Sequence, residues 1–446
     1  MATQLRPDFA VSDERAKVLV VGSGGREHAL VHALAKDSEV ANIYASPGNP
    51  GTWKERKSQN LQTDGTKEAL FPPLLEIVEG AGIDLVVVGP EDPLVKGLAD
   101  YFHARGYRNV FGPTTAAAQI EADKWFSCDL MKTLDIPQAR SLKCTTLDEA
   151  VWAVDEVLNE HGAVIKARGL TAGKGVSVCS SREDAIKQLP THMSNYRQDV
   201  LIAERLVGRE ASVIAIANGD YASLLGVAAD HKRRNDGDEG PNTGGMGAFS
   251  PVPYVSADLA QKIVDTMMTP VVQEMRMQGT PYIGFLYAGI ILTEDGPKVL
   301  EYNCRMGDPE AQVILNQVDD GGLYAAMRAA VRREEIPAVK FRPGASCCVV
   351  LAVPGYPDPA LVKEQKDQAI SGLEHAALVP GITIYHAGTA GRNEEIVTAG
   401  GRVLGVTGQA RDLLQARMWA YTAVKKISIP DGFHYRGDIA FRGSLK

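Results

Sequence analysis

The sequence predicts a multidomain protein of mixed α/β and α+β class, with an N-terminal parallel-sheet domain and a small β-rich C-terminal domain. Three observations support this prediction. A chain of 446 residues is too long for one ordinary core, so roughly three domains are expected. Near the N-terminus, short apolar runs alternate with helical patterns, as they do in parallel sheets. Further along the chain, apolar runs are separated by polar turns and read as strands.

The first domain is expected at residues 17–120, after a tail at 1–16 whose charges are scattered. Its first strand is Val18–Val21, and apolar residues at helical spacing after the next glycines predict a helix. The runs Ile83–Val88 and Asn109–Phe111 are further predicted strands. Because these strands alternate with helices, they indicate a parallel sheet.

A central domain is expected at residues 121–335, opening with a helix over Glu121–Met131 and containing a small α+β lid subdomain at about 135–205. Its predicted strands are Val164–Ala167, Val176–Val178, Val200–Ala203, Ala211–Ala217, Tyr287–Leu292 and Lys298–Asn303. The C-terminal domain is expected at residues 340–446. It contains strands Cys347–Val353 and Ile382–His386, a glycine-rich turn at 400–401 and a helix near 409–426.

The composition is that of a globular protein, with 45% hydrophobic and 23% charged residues. A net charge of −8 gives no basic surface for nucleic acid, although a local cationic pocket for small anions is allowed. No apolar run reaches the length of about 18 that predicts a membrane span, and the N-terminus does not resemble a signal peptide. The six cysteines fit neither a zinc pattern nor a disulfide framework, so we expect reduced thiols and a cytoplasmic location.

The stretch Lys166–Gly175 (KARGLTAGKG) follows a predicted strand and is rich in glycine. It is not a P-loop, because three residues instead of four separate Gly169 from the next glycine, and no hydroxyl residue follows Lys174. Its small residues still let backbone amides approach an anion closely. From the residues alone, a phosphate-binding loop and a solvated glycine-rich turn both remain open.

A second glycine-rich turn, Gly22–Glu27, joins the first strand to the first helix. Glu27 stands where a dinucleotide fingerprint needs glycine, and no ribose-binding acid follows at the expected distance. The helix N-terminus can still bind a phosphate, with a charge-assisted bond from Arg26. His28 and His32 lie further along this helix, and without an evident third ligand they are interpreted as surface or packing residues.

Two later stretches of the sequence contain further candidate binding residues. The polar stretch 230–249 lies between apolar runs, which favours a binding loop or lid over a linker. Further on, strand alternation places Glu301, Asn303 and Arg305 on one face. An acid and an amide two residues apart offer oxygen ligands for Mg²⁺, with a nucleotide supplying others. Arg305 can hold a carboxylate or stabilise a transferring phosphoryl group.

The order of these motifs resembles that of the glycinamide ribonucleotide synthetase (phosphoribosylamine–glycine ligase) family of the ATP-grasp superfamily. The similar segments are GSGGREHAL, SPGNPGT, DLVVVGPEDPLVKG, FGPTTAAAQIEADKWF, KARGLTAGKGV, DHKRRNDGDEGPNTGGMGAFSP, GFLYAGI and EYNCRMGDPE. They span residues 17 to about 310, and the last unit looks like the C-terminal domain of the family. The resemblance therefore implies an ATP-grasp fold for the central domain.

The resemblance implies an enzyme of de novo purine biosynthesis. Its reaction joins glycine to 5-phosphoribosylamine with ATP and Mg²⁺ or Mn²⁺, through glycyl phosphate, giving glycinamide ribonucleotide, ADP and phosphate. Catalysis of this kind is largely positioning and charge neutralisation in a site that excludes water. The implied partners are small molecules, with no nucleic acid or membrane, and the implied state is a monomer. Two alternatives are another ATP-grasp carboxylate–amine ligase and a nucleotide-binding regulatory protein without catalysis.

The resemblance also assigns roles to individual residues. The matching ATP-binding residues are Lys124, Lys166, Gly173, Lys174, Gly175, Glu204, Leu206 and Glu210. The matching residues of the phosphoribosylamine pocket are Gly24, Gly25, Arg26, Asn49 and Glu91. The matching metal ligands are Glu301 and Asn303. The candidates for catalytic contacts with glycine or the phosphoryl group are Lys232, Arg305 and Asp308.

One residue departs from the family pattern. The family commonly reads K-A-D-G-L where this chain has Arg168 in place of the acid. An added cation beside a triphosphate could tighten ATP binding or slow ADP release, whereas loss of an acid that tethers the loop could impair closure. Both interpretations remain open, and we expect Arg168→Asp to leave turnover within about tenfold.

Overall fold

The structure is a computed structural model that describes residues 15–171, 175–196 and 199–441. Gly173 and Lys174, which the sequence predicts to cover a triphosphate, lie outside these ranges. No helix in the described part of the chain is long and apolar enough to cross a membrane.

The N-terminal unit is a parallel sheet flanked by helices. Its elements are β1 (Ala16–Gly22), α1 (Gly25–Lys36), β2 (Val40–Pro47), α2 (Pro50–Lys54), β3 (Ser58–Asn60), α3 (Phe71–Ala81), β4 (Leu85–Val88), α4 (Glu91–Val95), α5 (Leu98–His103), β5 (Val110–Phe111) and α6 (Thr115–Ala122). The five strands lie in the order β3-β2-β1-β4-β5, and every pair is parallel. The prediction of an N-terminal parallel sheet is confirmed.

A small α+β unit follows. It contains α7 (Lys124–Thr133), β6 (Ser141–Cys144), α8 (Leu147–Val157), β7 (Ala163–Ala167), β8 (Val176–Cys179), α9 (Arg182–Tyr196) and β9 (Val200–Glu204). The strands form an antiparallel sheet in the order β6-β9-β7-β8, with its own apolar core against α8 and α9.

The single helix predicted over Glu121–Met131 is wrong, because the chain leaves helical geometry at Asp123. This residue has extended backbone angles, and its carboxylate accepts hydrogen bonds from the amides of Trp125 and Phe126. Asp123 is therefore the N-cap of a new helix, α7, which begins at Lys124.

The largest sheet runs through the central and C-terminal units. The central elements are β10 (Arg209–Asn218), β11 (Ala222–Asp230), β12 (Arg233–Asn235), β13 (Glu239–Asn242), β14 (Gly247–Ser250), α10 (Ala257–Ile263), α11 (Thr269–Met277), β15 (Ile283–Thr293), β16 (Gly296–Asn303), α12 (Glu310–Ile314) and α13 (Leu323–Arg332). The C-terminal elements are β17 (Ala345–Ala352), α14 (Pro359–Glu364), α15 (Leu373–Ala377), β18 (Ile382–His386), β19 (Thr389–Arg392), β20 (Glu395–Thr398), β21 (Arg402–Ala410) and α16 (Leu413–Val424). The sheet order is β16-β15-β10-β11-β14-β17-β21-β18, so β14 and β17 connect the two units by hydrogen bonds.

The polar stretch 230–249 forms an ordered hairpin, β12–β13, where the sequence predicts a loop or lid. The hairpin is fastened to the C-terminal unit. Arg234 donates to the carbonyl oxygens of Pro354 and Tyr356, and the buried Arg436 bonds Asp238. These contacts fix the position of the hairpin. They therefore also constrain Lys232 before it and Gly244 and Gly245 after it, which belong to the site described below.

Strand β17 separates two hydrophobic cores. Cys348 packs in a core shared by the N-terminal sheet, α12 and α13, whereas its neighbour Cys347 packs in the core of the C-terminal unit. Successive residues of a strand point to opposite faces, which explains why adjacent cysteines lie in different cores. Strand β1 is buried on both faces in the same way, as expected for a central parallel strand.

Candidate active site

A cleft of about 160 Å³ lies between α7, the small antiparallel sheet and the end of β16. Part of its lining is apolar and includes Met131, Leu201 and Ala203. The charged and polar side chains of the lining include Lys124, Lys166, Glu301, Asn303, Arg305, Glu91 and Glu121. Such a cleft can hold a ligand that has both an apolar part and an anionic part.

Two oxygen-bearing side chains line the cleft from the last residues of β16. Glu301 and Asn303 alternate on one face of the strand, and the Asn303 Nδ2 donates to the Glu301 Oε1 at 3.5 Å. Although burial alone would raise the pKa of Glu301, Lys232, Lys166 and Lys124 hold that pKa below its usual value. Glu301 is therefore an ionised carboxylate surrounded by cations.

Two lysines line the same cleft as Glu301 and Asn303. The Nζ of Lys124 donates to the carbonyl oxygen of Gly169 at 3.1 Å, and the Nζ of Lys166 donates to that of Leu300 at 3.1 Å. Burial lowers the pKa of both lysines, and the negative charge of Glu301 opposes this shift. An anionic ligand between them would remove much of this desolvation penalty by supplying opposite charge.

Arg305 connects the cleft with the N-terminal unit. Its Nη2 donates to the Glu121 Oε1 at 2.7 Å and to the Asn303 Oδ1 at 3.3 Å. Its Nε donates to the Glu91 Oε2 at 3.1 Å. Glu91 also lies 3.9 Å from the Nη1 of Arg26, and the arginines lower the pKa of Glu91 to about 2 although burial opposes them. The four charged groups form one network, in which Arg26 and Glu121 are buried and Arg305 and Glu91 are partly exposed.

The N-terminus of α1 lies beside this network. The amide of Arg26 donates to the Asp308 Oδ2 at 3.4 Å, and the amide of Gly24 donates to the Glu27 Oε2 at 2.6 Å. A side chain at Gly25 would approach within 2.5 Å of the Gln312 Nε2, so the amide of Gln312 would have to move to make room for it. The predicted substrate residues Gly24, Gly25, Arg26 and Glu91 are thus close to the cleft.

Asn49 takes part in a contact between the N-terminal and C-terminal units. Its Oδ1 accepts from the amides of Gly51 and Thr52, and its Nδ2 donates to the carbonyl oxygens of Ser23 and His386. These four bonds satisfy the side chain within the protein. The predicted contact between Asn49 and a substrate remains a prediction.

The hairpin and the C-terminal unit close another side of the site. The Nζ of Lys232 donates to the Glu210 Oε2 at 2.8 Å. From β21, Arg402 donates to the carbonyl oxygens of Gly244, Gly245 and Asp308. The C-terminal unit therefore helps to fix both the glycine-rich segment after the hairpin and the segment after β16.

Family models match almost the entire described chain. Residues 16–121 match the phosphoribosylglycinamide synthetase N domain, residues 122–311 its ATP-grasp (A) domain and residues 346–442 its C domain. A phosphoribosylamine–glycine ligase of Rhodopirellula baltica is 39% identical over 92% of this chain and 94% of its own length. The chain belongs to the phosphoribosylglycinamide synthetase family.

Two further proteins are similar to this chain. The trifunctional purine biosynthetic protein adenosine-3 of Gallus gallus is 42% identical over 96% of this chain, which spans 42% of the length of that relative. The crystal structure of a phosphoribosylamine–glycine ligase from Thermotoga maritima superimposes with a TM-score of 0.79 at 32% identity. That likeness covers 95% of this chain and 100% of the other.

The synthetase fold brings many of the predicted site residues together. Those that line the cleft are Lys124, Lys166, Glu91, Glu301, Asn303 and Arg305. Those outside its lining are Gly24, Gly25, Arg26, Asn49, Gly175, Glu204, Leu206, Glu210, Lys232 and Asp308. The carbonyl of Gly175 accepts from the amide of Ala167, and the Glu204 Oε1 accepts from the amide of Arg140.

Sequence reasoning missed two charged residues of the synthetase site. Glu121 is buried, bonds Arg305 and also accepts from the amide of Cys304 at 2.7 Å. A signal for Glu121 was present in its position within the similar segment FGPTTAAAQIEADKWF. Arg402 has no comparable signal, because it belongs to a distant strand and follows only a glycine pair.

Proposed function

We propose that this chain catalyses the ATP-dependent joining of glycine to 5-phosphoribosylamine in de novo purine biosynthesis, giving glycinamide ribonucleotide, ADP and phosphate. Membership of the family along nearly the whole chain supports this function. The structural observation that carries it is the bonding of Arg305, which joins Asn303 in the cleft to Glu91 in the N-terminal unit. A ligase needs such proximity, because its nucleotide and its amine must react at one place.

In the first proposed step, a carboxylate oxygen of glycine attacks the γ-phosphorus of ATP. The bond to the bridging oxygen breaks, ADP leaves and glycyl phosphate forms. Lys124 and Lys166 bind the phosphates, and Arg305 and Lys232 stabilise the transferring group or the glycine carboxylate. These side chains act by charge and position, since phosphoryl transfer needs little covalent help from the protein.

In the second proposed step, the amine nitrogen of phosphoribosylamine attacks the acyl carbon of glycyl phosphate. Phosphate leaves and takes up the proton that the nitrogen loses, so an amide is formed. Gly24, Gly25, Arg26, Asn49 and Glu91 bind the phosphoribosylamine, and Asp308 orients the N-terminus of α1 through the amide of Arg26. Water must be excluded while the acyl phosphate exists.

The donors present fit a magnesium ion. Glu301 is an ionised carboxylate beside the amide oxygen of Asn303, and Mg²⁺ commonly takes one or two protein oxygens together with water and phosphate. No group of three or more His, Cys, Asp or Glu side chains in the described ranges could hold a metal. Glu301 and Asn303 would therefore hold Mg²⁺ or Mn²⁺ jointly with the ATP phosphates. The bound ion would supply positive charge to the phosphate oxygens.

The apolar side chains of the cleft suit adenine. Met131, Leu201 and Ala203 offer aliphatic contacts to the faces of a flat base. We assign Glu204 and Leu206 to backbone bonds with the base, and Glu210 to the ribose. Gly173, Lys174 and Gly175 are assigned to the loop over the triphosphate, with the first two outside the described residues.

We further propose a cytoplasmic location and a monomeric state. All six cysteines are free thiols, which is consistent with a reducing compartment. Light scattering coupled to gel filtration would measure the molar mass in solution. A mass of about twice the 47.9 kDa of the chain would contradict the monomer.

The deciding experiment is a ligase assay with glycine labelled with oxygen-18 in its carboxylate. We expect ADP to form only when glycine and phosphoribosylamine are both present, and one labelled oxygen to appear in phosphate. Unlabelled phosphate would contradict the acyl phosphate. A panel of other carboxylates and amines serves as the control, because turnover of another pair with equal efficiency would contradict the substrate assignment.

A further inference from the structure

Arg168, which departs from the K-A-D-G-L pattern, lies directly after β7 and outside the lining of the cleft. Its Nε and Nη2 donate to the carboxylate of Asp123, the Nη2 at 2.6 Å from Oδ2. Its Nη1 donates to the Asp199 Oδ2 at 3.1 Å. Its guanidinium carbon lies 4.4 Å from the ring centroid of Trp125. Both edges and one face of the guanidinium are therefore engaged within the protein.

Asp123 has two roles at this contact. Its Oδ1 caps α7 by accepting from the amide of Trp125 at 2.9 Å, while both oxygens accept from Arg168. Partial burial would raise the pKa of Asp123, but the bonds from Arg168 and the amides lower it. The arginine thus stabilises the ionised form of the residue that starts α7.

Lys124 is the first residue of this helix and is held by the same segment. Its amide donates to the carbonyl oxygen of Arg168 at 2.9 Å, and its Nζ donates to that of Gly169 at 3.1 Å. The amide of Arg168 in turn donates to the carbonyl oxygen of Asp199 at 3.0 Å. Arg168 therefore connects the start of α7, the end of β7 and the start of β9 beside a cleft-lining lysine.

We propose that Arg168 is a positioning residue that fixes the N-terminus of α7, and with it Lys124, against the end of β7. It acts through Asp123 and Asp199 and does not contact the ATP phosphates. The inference rests on the proposed function, because Lys124 is assigned to those phosphates. It also explains how the charge of Arg168 is accommodated beside the cleft, because the carboxylates of Asp123 and Asp199 both accept from it.

The test is a double-mutant cycle with ATP affinity as the readout. Arg168→Gln removes the charge, and Asp123→Asn removes the ion pair while keeping a good helix cap. For each single variant we expect the Kd for ATP, by calorimetry, to rise about fivefold, as for other coupled networks. The double variant should be weakened little more than either single variant. In the ligase assay, KM for ATP should rise while kcat stays within about twofold.

Arg182→Gln is the matched control. Arg182 forms a comparable two-bond pair with Asp155 in the same unit, its Nη2 at 2.9 Å from the Asp155 Oδ2, and neither residue lines the cleft. This variant should leave the Kd for ATP unchanged. Thermal unfolding of all variants separates lost affinity from lost stability.

Two results would overturn the inference. Strictly additive losses of ATP affinity in the cycle would mean that Arg168 and Asp123 act independently, so that Arg168 does not act through Asp123. An unchanged Kd in both single variants would mean that the pair does not position Lys124. Because calorimetry requires ATP binding but no turnover, absence of ligase activity in the parent protein would reject the proposed function and leave this test intact.

Discussion

At the residue scale, Arg305 is the group on which the geometry of the site depends most. A largely enclosed arginine is tolerated when its donors are satisfied, and here Glu91, Glu121 and Asn303 accept from it. Because the bond to Asn303 uses the oxygen assigned to the metal, Arg305 also fixes the orientation of that amide. Its planar fork reaches partners in two units at once, which a single ammonium cannot do.

Arg305→Lys should therefore lower kcat/KM by about 100-fold, since it keeps the charge but loses the fork. Steady-state kinetics with each substrate varied in turn measures this effect. Arg328→Lys is the control, because Arg328 is 40% exposed and its pair with Glu39 is long, at 3.8 Å. A kcat/KM for Arg305→Lys within twofold of the parent would contradict the role given to the fork.

Glu301→Gln tests the metal assignment. The substitution keeps the shape of the side chain and removes the charge that Lys124, Lys166 and Lys232 stabilise. The magnesium concentration for half-maximal activity should rise by about 10- to 100-fold, as for other changes at metal sites. Glu294→Gln in the exposed turn after β15 is the control, and an unchanged magnesium titration for Glu301→Gln would exclude it as a ligand.

At the scale of elements, the β12–β13 hairpin depends on an arginine from the end of the chain. The side chain of Arg436 is fully buried, and it bonds the Asp238 Oδ1 at 2.8 Å, the Asp438 Oδ2 at 2.7 Å and the carbonyl oxygen of Arg233 at 3.1 Å. Replacing Arg436 removes these bonds, although Asp238 is about half exposed and water can still solvate its charge. Lys232 directly precedes the hairpin, so the position of the hairpin also affects the site.

Arg436→Met should lower the free energy of unfolding by about 1–3 kcal/mol, measured by urea denaturation. Arg392→Met, at a pair with Asp367 that is more than half exposed, should change it by less than about 0.5 kcal/mol. Equal effects of the two substitutions would contradict the anchoring role. If Arg436→Met still folds, its KM for glycine should rise, because Lys232 loses support.

The predicted elements differ in how well local sequence specifies them. Runs such as Ile83–Val88 are apolar enough to predict buried strands, and strand β4 lies within this run. The prediction of a single helix over Glu121–Met131 is wrong because helix-favouring residues stand on both sides of Asp123. The capping role of Asp123 depends on the geometry of its neighbours and is not visible in the sequence. The β12–β13 hairpin is polar on both sides, so its strands carry no hydrophobic alternation to predict them.

At the scale of the whole molecule, one sheet continues from the cleft into the C-terminal unit. The pairing of β14 with β17 joins Gly247 to Val349, far apart in sequence, and local patterns cannot predict such contacts. For the same reason the motifs predicted the cleft-lining Glu301 and Asn303 but not Arg402 on β21. The expected boundary near residue 340 stays a prediction, although the sheet is not interrupted there.

The contact between the N-terminal and C-terminal units should be sensitive to pH. The amide of His386 donates to the His28 Nδ1, and the His386 ring is buried beside His28, Lys54 and Glu55. Burial lowers the pKa of His386 to about 3, whereas an unfolded histidine has a pKa of about 6.5. Below pH 6.5 the unfolded chain takes up a proton that the folded protein does not. The contribution of His386 is thus fully present above about pH 6.5 and is lost as the pH falls.

Between pH 7 and pH 5 this group should reduce the free energy of unfolding by about 2 kcal/mol. His386→Asn should remove that part of the pH dependence, whatever its effect on stability at pH 7. Urea denaturation at both pH values measures the difference, with His375→Asn on the exposed side of α15 as the control. Equal pH dependence in the parent protein and His386→Asn would show that His386 takes up its proton in the folded state.

The two adjacent cysteines of β17 make the disassembly of this molecule observable. Burial raises the pKa of both thiols, that of Cys348 to about 12, so neither should react with an alkylating reagent while its core is closed. Cys348 becomes reactive when the core beneath the N-terminal sheet opens, and Cys347 when the C-terminal core opens. Pulse alkylation followed by mass spectrometry of a single peptide would therefore reveal which half of the protein comes apart first.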